Sequence, residues 1–459
     1  MDFQPQQIDV EVVTEEDLQV KQAERLQAFG HSLGQQRDEW IRSRYSYGVD
    51  KRWLEDEDQY NAKDNVNKAA SQMMTSVEQG YPVTTQGAKP HRSTVYIGLT
   101  RQKTNAAEAR ISDILLPTDD RNWGIKPTPK PKLMAMSRDT QMAGDKETGQ
   151  PLMNPDTGEP LAMRDIARAA MQTAREKSDA MQLEIEDQLV ECDYNGELRK
   201  VIHNSARLGT GVIKGPIVTN RTRKAWQPLT DANGETVHQL EIVKEASPAS
   251  FRVDPRNCFP DPACGESIHH GKGIYEREQI TGRQVRELAK QPGFMKDQLR
   301  KVLEEGPKRA AVFQEMRDDD QRDVARATFE MWTYWGEVDH EDLESAGVKL
   351  GEKDVLRSVS GCVVMINDTV VKAFPNPLEG GDLPYDFYVW EKVADSVWGY
   401  GIPYLMRAQQ KVLNAAWRQM MDNAGVSSGP QIVVKPNTIQ PADKQWQLSA
   451  RKIWYATDD

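Results

Sequence analysis

The stretch that decides the architecture is Trp398–Ser428, WGYGIPYLMRAQQKVLNAAWRQMMDNAGVSS. Gly399 and Gly401 predict a tight turn. Pro403 stands where a first helical turn begins, a place that suits its fixed φ and missing N–H. One helix is expected over Ile402–Asp422, about 30 Å long at 1.5 Å per residue, with Gly425 and Gly429-Pro430 closing the run. Its faces differ chemically. Leu405, Val412, Leu413, Ala416, Met420 and Ala424 recur at helical spacing, while Arg407, Lys411, Arg418 and Asp422 form a separate polar stripe. Leu405, Leu413, Ala416 and Met420 are expected to pack on protein. The basic stripe is either a solvated face or a surface shown to a partner.

Composition narrows what such a helix serves. The chain has 459 residues, enough for one large core or two to three smaller ones. With 59 basic against 70 acidic side chains its formal charge is −11. A whole-surface electrostatic grip on nucleic acid is excluded, although guiding a strand is compatible with that sign. Glu11, Glu15, Glu16 and Asp17 near the start do not make a secretory signal. No apolar run of about 18 residues predicts a transmembrane helix. Four cysteines, Cys192, Cys258, Cys264 and Cys362, in so long a chain point to reduced thiols in the cytosol.

Helical periodicity is expected over 15–45, 101–116 and 161–192, the last broken at Asn195-Gly196 before a shorter helix over Leu198–Leu208 that Gly209 ends. Residues 50–94 read as short helical pieces and loops, Trp123–Pro131 as an extended segment, and 139–162 as a hairpin-like surface excursion. Strand character is predicted at Val212–Val218, Val237–Val243 and Phe251–Val253, with Asn233-Gly234 as a hairpin turn. A helix over Thr281–Lys290, N-capped by Thr281, precedes a charged helical stretch over 295–322. Further strands are expected at Phe329–Trp335, Val355–Val359, Cys362–Ile366, Val370–Phe374 and Phe387–Trp390, with a turn at Asn367-Asp368. A β-like tail runs over Gln431–Tyr455. This is an α+β pattern, without the strand-helix alternation of a doubly wound fold.

Motifs of chemistry are scarce. GTGVIKGP (Gly209–Pro216) lacks the Lys-Ser/Thr ending of a phosphate loop and leads into a strand, so a helix stop followed by a strand start is the better reading. Cys258, Cys264, His269 and His270 are spaced poorly for zinc, and a proline-rich loop with incidental thiols is favoured. No HExxH pair, GxSxG elbow or catalytic-cysteine signature occurs. No catalytic residue, metal ligand or cofactor site is expected.

Three segments together resemble portal proteins, the head-to-tail connectors of tailed double-stranded DNA phages, most closely those of short-tailed phages. They are AEARISDILLPTDDRNWGIKPTPKP (Ala107–Pro131), DYNGELRKVIHNSARLGTGVIKGP (Asp193–Pro216) and VWGYGIPYLMRAQQKVLNAAWRQMMDNAGVSSGPQIVV (Val397–Val434). The resemblance implies a homo-oligomeric ring, usually of twelve subunits, at one capsid vertex of the virion. Double-stranded DNA would pass through it, pumped by a separate terminase motor, with the major capsid protein and tail or adaptor proteins as further partners. It also implies residues 1–160 as the N-terminal helical part of a wing, 161–397 as its α+β body, 398–428 as a stem helix and 429–459 as the start of a clip. Arg407, Lys411 and Arg418 would then face the channel or the adjacent subunit. Portal proteins continue into a second stem helix, a tunnel loop and a crown, and this sequence stops at Asp459, within the expected clip. Two other classes stay open: a capsid or scaffolding protein, and a DNA-processing enzyme.

Overall fold

The computed structural model describes residues 15–63, 93–117, 123–144, 160–230, 236–308, 310, 328–349, 358–378, 380–428, 439–441 and 454–456. They mix helices with antiparallel strands, an α+β arrangement. Two compact units divide the chain: Met1–Tyr60 with Thr100–Leu405, and Asn61–Leu99 with Met406–Asp459. This division differs from the linear order expected from sequence. The N-terminal helices share a unit with the strand-rich middle, and the second boundary falls at Leu405/Met406 instead of before Trp398.

In the larger unit, β-branched residues and a glycine helix stop launch a long ribbon, β1 (Thr210–Thr230) and β2 (Thr236–Val253). Its register runs from Val212 opposite Val253 to Thr230 opposite Thr236, with an irregularity between Lys214 and Ile217. The short strand β8 (Tyr385–Val389) pairs with the root of β1, over Thr210–Lys214. The expected strands Val212–Val218, Val237–Val243 and Phe251–Val253 are parts of this one ribbon, and Asn233-Gly234 lies outside the described residues.

The second sheet is antiparallel and five-stranded: β3 (Cys258–Pro260), β4 (Gly273–Thr281), β5 (Thr328–Asp339), β6 (Ser358–Ile366) and β7 (Thr369–Pro375), in that order. MWTYW in β5 and CVVMI in β6 are apolar almost without alternation because both faces are covered. On one face Tyr275, Trp332, Tyr334, Val363 and Met365 meet Leu26, Phe29, Leu33, Trp40 and Ile41 of helix α1 (Glu15–Ser46). On the other, Ile274, Phe329, Trp335, Val364 and Ile366 share a core with Val285, Leu299, Val302, Val212 and Trp398. Each such side chain contributes about 1.5–3 kcal/mol when fully buried. The β6–β7 turn uses Asn367 and Asp368 at φ 53° and 65°. It reaches α1 where Gly30 leaves room: a Cβ there would lie 2.4 Å from Asp368 O. Arg37, 2% exposed, pairs with Asp368 at 2.7 Å.

Several expectations need correction. The helical break after 192 falls at Cys192-Asp193, with Asp193 at φ 52°. Asn195-Gly196 instead form the first turn of the helix Tyr194–Leu208. The charged stretch expected over 295–322 is helical only over Lys296–Glu305, and 311–322 lies outside the described residues. WGY is not a turn: it ends β10 (Ser396–Tyr400), which pairs with β9 (Glu391–Val393). Strand β4 has no counterpart in the sequence expectations. Residues 355–357 lie outside the described residues, and β6 is a single strand from Ser358. The helix expected over Ile402–Asp422 is two, Ile402–Leu405 and Arg407–Ser428, separated at Met406. Thr281 caps Gly282–Leu288 as expected, through a reciprocal capping box with Gln284.

In the smaller unit the described parts include the extended segment 93–98, the helix Arg407–Ser428, and two short paired strands, β11 (Ile439–Pro441) and β12 (Trp454–Ala456). Of the β-like tail expected over Gln431–Tyr455, only these strands are described.

Candidate assembly site

Within the larger unit, the second and third quoted segments meet at a backbone crossing that only glycine permits. Helix Tyr194–Leu208 ends at Gly209, φ 90°. A Cβ on Gly209 would lie 2.3 Å from Gly399 O; one on Gly401 would lie 2.7 Å from Arg207 O and 2.8 Å from Gly209 N. The crossing is hydrogen-bonded throughout. Trp390 N donates to Gly209 O at 2.9 Å, Gly399 N to Thr210 Oγ1 at 3.0 Å, and Arg52 Nη2 to Gly399 O at 3.0 Å.

Aromatic side chains lock this junction. Trp53, on helix α2 (Val49–Tyr60), donates Nε1–H to Leu208 O at 2.9 Å and meets Trp398 edge-on, ring centres 5.1 Å apart. Such a pair adds about 0.5–1.5 kcal/mol beyond its burial. Tyr400 and Tyr404 stack at 4.2 Å, with the Arg52 guanidinium 4.9 Å from the Tyr400 ring centre. Arg44 is buried beside them. It pairs with Asp50 at 2.7 Å, donates to the carbonyls of Pro255, Arg256 and Cys258, and covers the Phe259 ring at 3.9 Å. Burial lowers its pKa, and Asp50 opposes that shift.

The groups weighed for chemistry sit in structural contacts. Lys214 of GTGVIKGP places Nζ 2.5 Å from Glu276 Oε2, and Tyr385 donates its hydroxyl to that same oxygen at 2.6 Å. Burial, and then the Glu276 charge, raise the Tyr385 pKa well above its ordinary value. Cys258 and Cys264 are buried thiols whose Sγ atoms donate to Asp254 O and Gly265 O, while His269 lies 3.8 Å from Asp386. Among the described residues no group of three or more His, Cys, Asp or Glu side chains is arranged to hold a metal ion.

In the smaller unit, helix Arg407–Ser428 uses its polar row to hold the segment 93–98. Asn414 Oδ1 accepts from Ile97 N at 3.0 Å, Gln410 Nε2 donates to Ile97 O, and Gln410 also donates to Asn414 Oδ1 at 3.2 Å. Two side chains therefore satisfy both backbone groups of Ile97, as a neighbouring strand would. Arg418 Nε donates to Val95 O at 3.0 Å and Asp422 Oδ1 accepts from Ser93 N at 2.5 Å. Residues 410, 414, 418 and 422 are spaced by four, so they form one row along the helix. Of the basic residues singled out from sequence, Arg418 belongs to this row, Lys411 is exposed and Arg407 is half-buried. The apolar row is the open one: Val412 is 69% and Met420 49% exposed, Ala416 is exposed and Leu413 half-buried. Leu405, which closes the larger unit, is also exposed. Sequence reading missed Gln410 and Asn414. Their signal was two amide side chains four residues apart on a helix, able to serve a passing backbone.

No protein-family profile matches the chain. No curated protein matches it significantly either. Among the described residues no helix is long and apolar enough to cross a membrane.

Proposed function

We propose that this chain is the subunit of a phage portal: a closed homo-oligomeric ring at one capsid vertex through which double-stranded DNA is packaged, retained and later ejected. The observation that carries this reading is the helix Arg407–Ser428, whose polar row is engaged within its own unit while Val412, Ala416 and Met420 stay open. An apolar row left in water on a 22-residue helix needs a partner. In a ring the adjacent copy supplies it. The order of the three resembling segments supports the same reading, as does the contact between two of them at the glycine crossing. A net charge of −11 suits a bore along which a polyanion slides without sticking. In this reading the chain has no catalytic role. The terminase hydrolyses ATP, and Lys411 and Arg407 face the channel or the next subunit. Twelve copies, contact with the major capsid protein, and docking of the terminase and then of tail or adaptor proteins belong to the same proposal.

Negative-stain microscopy and mass photometry of the purified chain test it. Closed rings are expected, and Val412→Glu with Met420→Glu should shift the population to monomer while the larger unit stays folded. A monomer at micromolar concentration in any salt would overturn the reading. An icosahedral shell or a fibre would instead identify a capsid or scaffolding protein. Phosphate release above blank, abolished by Lys214→Ala, would identify an enzyme.

A further inference from the structure

Beyond its root the ribbon of β1 and β2 pairs, among the described strands, only with itself. An isolated two-stranded ribbon is at best marginally stable in water. This one also carries an apolar face. Trp226 stands opposite Leu240 and Lys224 opposite Ile242, so the four side chains share one face. Trp226 is 66% exposed, and Lys224, Leu240 and Ile242 are exposed with it, as is Val218 further down the strand. From Ile217 to Thr230, β1 contains Arg221, Arg223 and Lys224 and no carboxylate. β2 adds Lys244, Glu241 and Glu245 over the paired stretch, which leaves the ribbon net positive.

The same unit presents a surface of opposite character. Helix Met163–Glu191 has Ala167 as its one buried residue. Its last half, Ser178–Glu191, carries Asp179, Glu184, Glu186, Asp187 and Glu191 and no basic residue. Asp179, Leu183, Asp187 and Val190 fall four, four and three apart, on one face. All four are exposed, Leu183 at 62% and Val190 at 78%. That face alternates acid with aliphatic over about 17 Å. The ribbon patch of Trp226, Lys224, Leu240 and Ile242 sets one lysine among aromatic and aliphatic groups. The two match in charge and apolar content. Because each remains exposed in the folded subunit, neither covers the other within one chain.

We infer that the ribbon of one subunit docks on the Asp179–Val190 face of a second copy of this chain, with Trp226, Leu240 and Ile242 against Leu183 and Val190, and Lys224 between Asp179 and Asp187. The two patches are different surfaces, so the contact is head-to-tail, the type that generates a ring when its rotation closes. The inference rests on the ring reading and specifies which surfaces make it.

A mixed cross-linking experiment tests it. Tagged chains carrying Trp226→Cys and untagged chains carrying Leu183→Cys, both in a Cys192→Ser background, are co-assembled and treated with a short bis-maleimide. A covalent dimer of one tagged and one untagged chain is expected, absent when either cysteine is omitted. Adding Lys224→Glu should abolish that dimer, and Asp179→Lys with Asp187→Lys in the partner chain should restore it. All these positions are exposed except the half-buried Cys192, and far-ultraviolet circular dichroism checks that each variant folds. Rings that form without the mixed dimer overturn the docking and leave the ring reading standing. That outcome would give the ribbon to a different protein. A chain that remains monomeric overturns both.

Discussion

Replacing Gly209 by alanine separates the two demands that the backbone crossing makes on that position. The first is conformational, since φ is 90° and an L-residue there costs about 1–2 kcal/mol. The second is steric. The new Cβ would lie 2.3 Å from Gly399 O, 2.6 Å from Gly399 C and 2.7 Å from Gly401 N, all backbone atoms that cannot swing aside. Forcing a methyl group into such a contact costs about 1–3 kcal/mol. Together they give about 2–5 kcal/mol, a large part of the 5–15 kcal/mol that typically holds a domain together. Two controls isolate the components. Gly347 has φ 85° with nothing within 4 Å, so Gly347→Ala bears only the conformational cost. Gly401 has no positive φ but contacts of 2.7, 2.8 and 2.9 Å, so Gly401→Ala bears only the steric one. The loss of unfolded-state freedom, about 0.4–1 kcal/mol in favour of alanine, acts once in each variant, so the summed controls contain it twice and Gly209→Ala once. Urea unfolding followed by tryptophan fluorescence reads the result, Trp53 and Trp398 lying at the junction. The loss for Gly209→Ala should exceed the sum of the two controls by that one contribution, about 0.4–1 kcal/mol. If Gly209→Ala loses no more than Gly347→Ala at equal denaturant slope, the crossing is not a constraint and the reasoning fails.

Asn414→Ala should strip Ile97 of its amide acceptor, at about 1–3 kcal/mol; hydrogen exchange of a peptide covering 93–99 should accelerate, tenfold for each 1.4 kcal/mol or so, and unchanged exchange would count against the contact. Gly425 has open space around a Cβ, so Gly425→Ala should stabilise the helix Arg407–Ser428 by about 0.8–1 kcal/mol, read as a higher thermal midpoint. A lower midpoint would mean that this glycine is packed against a partner. Burial pushes the Cys362 thiol from 9.0 up to about 12. The unfolded chain therefore loses this proton first as pH rises, and the thiol's contribution to stability is complete below pH 9.0 and lost by about pH 12. Cys362→Ala should flatten the stability profile across that window, and an identical slope in both proteins would refute the assignment. In the native protein at pH 8, Cys192 alone among the four thiols should react rapidly with a thiol reagent, since Cys258, Cys264 and Cys362 are buried.

Local chemistry made much of this legible from sequence. Glycine at Gly209 ended a helix because its backbone tolerates positive φ; Thr281 with Gln284 capped another; and Asn367-Asp368 made a turn for the same conformational reason as Gly209. Runs such as MWTYW and CVVMI announced strands because β-branched and aromatic side chains fill them. The split of helix Arg407–Ser428 into polar and apolar rows was equally readable, since side-chain direction follows from 3.6 residues per turn.

Tertiary structure alone decided what each row touches. Arg418 read as a charge for a channel or a neighbour, and it holds Val95 O, because a segment more than three hundred residues earlier in sequence returns along that face. Gln410 and Asn414 looked like ordinary helix filler until the backbone of Ile97 reached them. The extent of the β1–β2 ribbon was hidden because Thr219–Lys224, through which β1 continues past Val218, is polar throughout. The meeting of Gly209, Gly399 and Gly401 could not be foreseen for a related reason. A glycine shows that a side chain is unwelcome, but the atom that excludes it comes from a distant part of the chain.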